Sequence, residues 1–112
     1  MFKLVPDPIF PVRVRITVPG QANLADLVLT CRHKPRDALK AWIESAKNSS
    51  ASDAQFIGEI VEGWAENVQG ADGQPLPFTQ DALAALLNNY PAAGSEIVDA
   101  YVKEISESRA KT

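Results

Sequence analysis

"VRVRITV", Val12 to Val18, decides what kind of fold this chain builds. Val12, Val14, Ile16 and Val18 fall on one side of an extended backbone, and Arg13, Arg15 and Thr17 fall on the other. A period of two, written in β-branched residues, specifies a strand with one buried and one wet face. "PGQAN", Pro19 to Asn23, then supplies a turn. "LADLVLTCRHK", Leu24 to Lys34, puts Leu27, Leu29 and Cys31 on one face. A second strand is predicted there, paired with the first as an antiparallel hairpin with a longer loop. A hairpin alone is marginal in water, so the rest of the chain must cover its apolar face.

Downstream the apolar period lengthens. Pro35 suits a first helical residue, since it needs no amide donor and its φ is preset. Leu39, Trp42, Ile43 and Ala46 then recur at helical spacing. "KNSSASD" interrupts, rich in helix-capping residues. Ser52 or Asp53 starts a predicted second helix with Phe56, Ile57, Ile60, Val61 and Trp64 on one side, and Glu59, Glu62 and Glu66 on the other. Thr79 is the expected cap of a short third helix carrying Leu83, Leu86 and Leu87. Asn88 to Pro91 ends it, and a fourth helix begins near Pro91 or Ala92, its face drawn by Ile97, Tyr101 and Ile105. "SESRAKT" reads as a polar end that frays. The expected class is α+β: an N-terminal antiparallel β-hairpin followed by a bundle of three to four helices. Residues 1–11, with Pro6, Pro8 and Pro11, form an extended arm; 12–33 form the hairpin and 35–108 the helical part.

At 112 residues one domain is expected, with 46% hydrophobic and 22% charged residues, ordinary for a globular protein. A single cysteine, Cys31, excludes an internal disulfide framework and fits a reducing compartment. No run approaches the roughly 18 apolar residues that would span a bilayer. "MFKLVPDPIFPV" does not read as a signal peptide, because prolines and Asp7 break any apolar core. A cytoplasmic setting follows. Charge is uneven: residues 1–47 hold eight Lys/Arg against four Asp/Glu, while 48–112 hold three against ten, so +4 and −7 make the net −3. Such asymmetry fits a nucleic-acid-binding half or two faces that meet in self-assembly, and chance partition of surface charge explains it equally well.

Candidate chemistry is sparse. His33 and Cys31 share a strand face, but two ligands do not make a zinc site. Cys31 is read as a small buried hydrophobe. "WAENVQGADGQPLPFTQDALAALL", Trp64 to Leu87, resembles a helix-loop-helix calcium site in outline. With Gly73 at the sixth loop position, however, the first, third and twelfth fall on Val68, Gly70 and Thr79, which supply no carboxylate. The stretch reads better as a rigid corner, with Asp72-Gly73 turning, Pro75 and Pro77 stiffening, and Leu76 and Phe78 plugging the angle. No phosphate-cradling glycine pattern or nucleophile elbow occurs. Glu59, Glu62 and Glu66 read as a solvated face. An enzyme is not expected, and no catalytic, cofactor-binding or metal-binding residue is assigned.

Binding remains. Arg13, Arg15 and Arg32 would share a basic sheet face able to contact phosphates, yet no aromatic sits among them to stack a base. A charged strand edge that discourages stray pairing is the plainer reading. Trp42 and Trp64 are large for so small a core, and either both are buried with their indole N–H groups partnered, or one lies in a groove that receives another chain.

The order of motifs in the second half resembles the tail assembly chaperones of long-tailed bacteriophages. The likeness lies in Trp64, then "ADGQPLPFT" (Ala71 to Thr79), "ALAALL" (Ala82 to Leu87) and "NNYPAAGSEIVDAY" (Asn88 to Tyr101). The arm "FKLVPDPIF", the hairpin and a basic "RHK" leading to Trp42 are similar too. The resemblance implies a cytoplasmic protein made in the infected or prophage-carrying bacterium. Such a protein coats the helical tape measure protein, keeps it soluble, helps recruit tail tube subunits, and is absent from the finished virion. It implies no catalytic residues, no cofactor and no membrane partner. Under it the client or a neighbouring subunit would meet Trp64, Leu76, Phe78 and Leu86, and the basic hairpin (Arg13, Arg15, Arg32) would meet acidic helices of the next copy. The rival is a small nucleic-acid-binding regulator using that same basic face.

Overall fold

The computed structural model describes residues 4–6, 8–22, 24–48, 53–64, 68–69 and 73–106. Strands β1 (Ile9–Ile16) and β2 (Ala25–Arg32) form the expected hairpin, with Val12 opposite Leu29 and Val14 opposite Leu27. Val12, Val14, Ile16, Leu27, Leu29 and Cys31 are all buried on one face. The connection turns at Pro19-Gly20, where the Gln21 N–H donates to the Val18 carbonyl at 3.1 Å. Gly20 takes φ 82°, the left-handed value that glycine accepts without a Cβ clash.

The arm is shorter than expected, because β1 begins at Ile9 and includes Pro11. The ladder explains this. The His33 N–H donates to the Pro8 carbonyl at 2.9 Å. In an antiparallel pair, residues alternate between those that exchange bonds with the partner strand and those that point away. Continuing that register makes Phe10, Val12 and Val14 the exchanging set. Pro11 therefore lies where its missing N–H would have faced outward, and no ladder bond is lost.

Helix α1 (Arg36–Asn48) starts one residue later than expected, with the Pro35 carbonyl accepting from the Leu39 N–H at 2.8 Å. Trp42 is buried and Leu39 and Ile43 are half-buried, but Ala46, expected on the same stripe, is exposed. The Trp42 ring stacks on Phe56 at 4.2 Å and meets Tyr101 edge-on at 5.5 Å.

The predicted long second helix does not form. Helix α2 (Asp53–Gly58) is six residues long. The chain turns at Glu59-Ile60 and enters strand β3 (Val61–Trp64), which pairs antiparallel with β2 to give a three-stranded sheet of order β1-β2-β3. Two causes act together. Gly58 and Gly63 each cost a helix interior about 1 kcal/mol, while the Ile60-Val61 pair favours extended backbone. On the other side, β2 has unpaired backbone groups to offer, and the Arg32 N–H donates to the Ile60 carbonyl at 2.6 Å. A bulge explains why the spacing looked helical. Val61 lies opposite Cys31 and Gly63 opposite Thr30, so Glu62 is an extra residue. That insertion brings Val61 and Trp64, three apart, onto the same buried face. Glu59 and Glu62 are exposed, though not along a helix, and Glu66 lies outside the described residues.

Helices α3 (Gln80–Asn89) and α4 (Ala93–Ser106) complete the chain. Thr79 caps α3, its Oγ1 accepting from the Ala82 N–H at 3.0 Å. The described helices pack on the buried sheet face, where Ile57, Ile60, Leu83, Ala93, Ile97 and Tyr101 close one core with the strands. Helix α4 runs antiparallel to β1. Near its start the Glu96 carboxylate accepts from the Thr17 N–H at 3.0 Å and from the Thr17 hydroxyl. Towards its end the Tyr101 hydroxyl donates to the Arg32 carbonyl at 2.7 Å, and its ring stacks on Phe10 at 5.8 Å. The fold is α+β.

Candidate binding surfaces

Strand β3 carries Trp64 to a corner where it meets the returning chain. Its indole N–H donates to the Leu76 carbonyl at 2.8 Å, and its ring meets Phe78 edge-on at 5.0 Å. The Leu76 N–H donates in turn to the Val68 carbonyl at 2.8 Å, and Gln69 bridges Pro75. Gly73, at φ 78°, makes the turn between these two arms; Asp72 lies outside the described residues. Trp64 and Phe78 are half-buried, while the Leu76 side chain is exposed. Leu86, the fourth expected member, lies on α3 and lines a neighbouring hollow of about 230 Å3 with Val18, Val68 and Tyr90. Three of the four residues thus make one cluster, and Val68 links it to the hollow that Leu86 lines.

The three arginines separate. Arg13 and Arg15 stand two residues apart on the outer sheet face, and Arg15 lies 3.6 Å from Asp26, its cross-strand neighbour. Arg32 is occupied elsewhere: one guanidinium nitrogen, Nη1, donates to the carbonyls of Gly58 at 3.1 Å, Glu59 at 3.3 Å and Val61 at 3.3 Å. It fastens the α2–β3 turn to β2. In its place beside Arg13 and Arg15 stand Lys103 and Glu104 of α4, across a groove of about 550 Å3. No pattern in the sequence marks these two residues, because their position depends on how α4 lies along β1.

Both tryptophan N–H groups are partnered, Trp42 through the Phe56 carbonyl at 2.9 Å and Trp64 through Leu76. Cys31 is buried, and desolvation pushes its thiol up to about 12 despite the opposing effect of Arg32. Burial, and then the neighbouring Cys31, raise Tyr101 to about 12 as well. Among the described residues, no group of three or more His, Cys, Asp or Glu is placed to hold a metal ion, and no helix is long and apolar enough to cross a membrane.

The arrangement is a small α+β fold with a half-buried aromatic corner at one place and a cationic groove at another. The family model for phage tail assembly chaperones matches residues 1–112, and the chain belongs to that family. No curated protein and no solved structure matches it. Membership implies a role in building tails that is carried by binding rather than by turnover.

Proposed function

We propose that this chaperone binds the tape measure protein, keeps that long helical client soluble, and promotes assembly of the tail tube around it. It does so in the host bacterial cytoplasm and is absent from the finished virion. The observation that carries the reading is the Trp64–Leu76–Phe78 corner. It is an apolar surface held in place by a hydrogen bond and a ring contact, with the Leu76 side chain turned to solvent. An amphipathic client helix needs such a surface to cover its apolar stripe.

Self-association belongs to the same reading, with the basic outer sheet face of one copy against acidic helices of the next; assembly unchanged at about 1 M salt would contradict it. The nucleic-acid rival is weaker, since Arg32 is spent on three carbonyls and Arg15 faces Asp26. The test is co-expression with a candidate tape measure protein. The client is expected to become soluble with this chain, and to return to the pellet with Leu76→Glu, which alters an exposed position and leaves the fold intact. A client equally insoluble with and without the chain sinks the proposal.

A further inference from the structure

The outer edge of β1 is where backbone groups and charge are left together. The ladder register makes Phe10, Val12, Val14 and Ile16 the residues that exchange bonds with β2, as the His33 to Pro8 bond sets out. Ile9, Pro11, Arg13 and Arg15 therefore direct their backbone groups to the open edge. Thr17 belongs to the same set, and its N–H is taken by the Glu96 carboxylate at 3.0 Å. Among the described residues, no strand pairs with this edge. Its N–H groups at Ile9, Arg13 and Arg15, and the four carbonyls, stand ready for a partner.

Beside the edge runs the groove of about 550 Å3, with Pro11, Val28 and Ala100 as its apolar part and Arg13, Arg15 and Lys103 as its cations. A second hollow of about 420 Å3 continues it past Pro11 and Glu104 towards Pro6 and Ile105. Together they follow Ile9 to Arg15, a length of about 20 Å at strand rise.

We propose that the β1 edge is a docking strand for a partner segment that adds in extended form and carries acidic side chains at every second residue. A strand is required because only a strand can satisfy the outward N–H and C=O groups; the backbone of a helix is already bonded to itself. Alternate acids are required because Arg13 and Arg15 share one face, and a paired strand places its residues i and i+2 opposite them. Arg13 has no ion-pair partner among the described residues, and Lys103 adds a third cation from α4, against Glu104 and Asp26. A second copy of β1 is the wrong occupant, since symmetric antiparallel pairing would set the arginines of one copy against those of the other. The segments 1–3 (MFK) and 107–112 (ESRAKT) of this chain lack alternating acids. An edge charged only to repel stray strands would have no need of an apolar hollow beside it. This surface is separate from the Trp64 corner, so either proposal can fail without the other.

The probe is a fluorescein-labelled heptapeptide of alternating Glu and Val, titrated into the full chain by fluorescence polarisation at low salt. Binding is expected, weakened at least about tenfold when the glutamates are replaced by lysines. The R13E/R15E double variant, its fold checked by circular dichroism, should invert that preference. N-methylation of the peptide separates backbone pairing from charge. Blocking the glutamyl amides breaks an antiparallel strand and blocking the valyl amides a parallel one, so one set and not the other should abolish binding. Charge dependence with indifference to both methylations overturns strand addition and leaves a side-chain contact such as an acidic helix face. No binding, or equal binding of the Glu and Lys peptides, overturns the site altogether.

Discussion

The indole N–H of Trp64 donates to the Leu76 carbonyl across a gap of twelve residues in sequence and 2.8 Å in space. That bond ties β3 to the chain leading into α3, and the edge-on contact with Phe78 makes the same connection through apolar surface. The two contributions can be separated. Trp64→Phe keeps an aromatic ring and removes the donor, and should cost about 1 kcal/mol, the usual net worth of a single hydrogen bond. Phe78→Ala removes half-buried ring contact and should cost about 2 kcal/mol, below the range for a fully buried phenylalanine. Urea unfolding of both variants checks the order; a wild-type midpoint for Trp64→Phe would show the bond adds nothing.

Gly63 reports whether its segment is strand or helix. An added Cβ there meets nothing within 4 Å, and the residue lies opposite Thr30 on the outer sheet face. In a strand, Gly63→Thr should stabilise by about 1 kcal/mol and exceed Gly63→Ala, because β-branched residues fit a pleated surface and pair across it. A helix would reverse the order, since alanine is the better helix former. Thermal unfolding of the two variants decides, and alanine ahead of threonine would argue against β3.

This position also shows what the sequence made legible. The hairpin is legible because "VRVRITV" obeys a period of two, and Val12, Val14 and Ile16 are buried as that period predicts, while Val18, past the end of β1, is half-buried. Thr79 was readable because capping is local chemistry. Trp64 reads as helical because a single bulge lets residues three apart share a strand face, and that spacing outweighs the weaker local signals of Gly58, Gly63 and the Ile60-Val61 pair. The corner of Trp64, Leu76 and Phe78 is legible because the stretch that joins them carries its own turn and stiffening residues, Gly73, Pro75 and Pro77. The grouping of Arg13 with Lys103 is not, because it arises from α4 lying along β1, which sets residues 90 positions apart on one groove.

Alkali should unfold the protein through Tyr101 and Cys31. Both folded values, about 12, lie above the ordinary 10.0 and 9.0, raised chiefly by burial. The unfolded chain therefore loses these protons first as pH rises. Stability from keeping both groups neutral is fully present below pH 9, declines as the unfolded thiol and then the unfolded phenol ionise, and is lost by about pH 12. Cys31→Ala should cost about 1 kcal/mol at neutral pH through the small cavity left, yet flatten the decline above pH 9. Urea midpoints measured at several pH values test this, and an unchanged slope in the variant would remove Cys31 from the account.

Arg32 and Arg13 look alike in the sequence and should behave differently on substitution. Arg32 donates to three carbonyls around the α2–β3 turn, groups that would otherwise depend on solvent for their partners. Arg32→Ala should therefore destabilise by about 1–2 kcal/mol, around the lower end for hydrogen bonds from a charged donor because the side chain is exposed. Arg13 extends from the outer sheet face, and Arg13→Ala should stay within about 0.5 kcal/mol of wild type, as surface substitutions do. Hydrogen exchange adds a local readout: amides near Ile60 and Val61 should lose protection in Arg32→Ala and keep it in Arg13→Ala. If the two variants unfold together and exchange alike, the bonds from Arg32 contribute nothing to the turn. Its charge would then be available to a ligand, and the basic face would again include all three arginines.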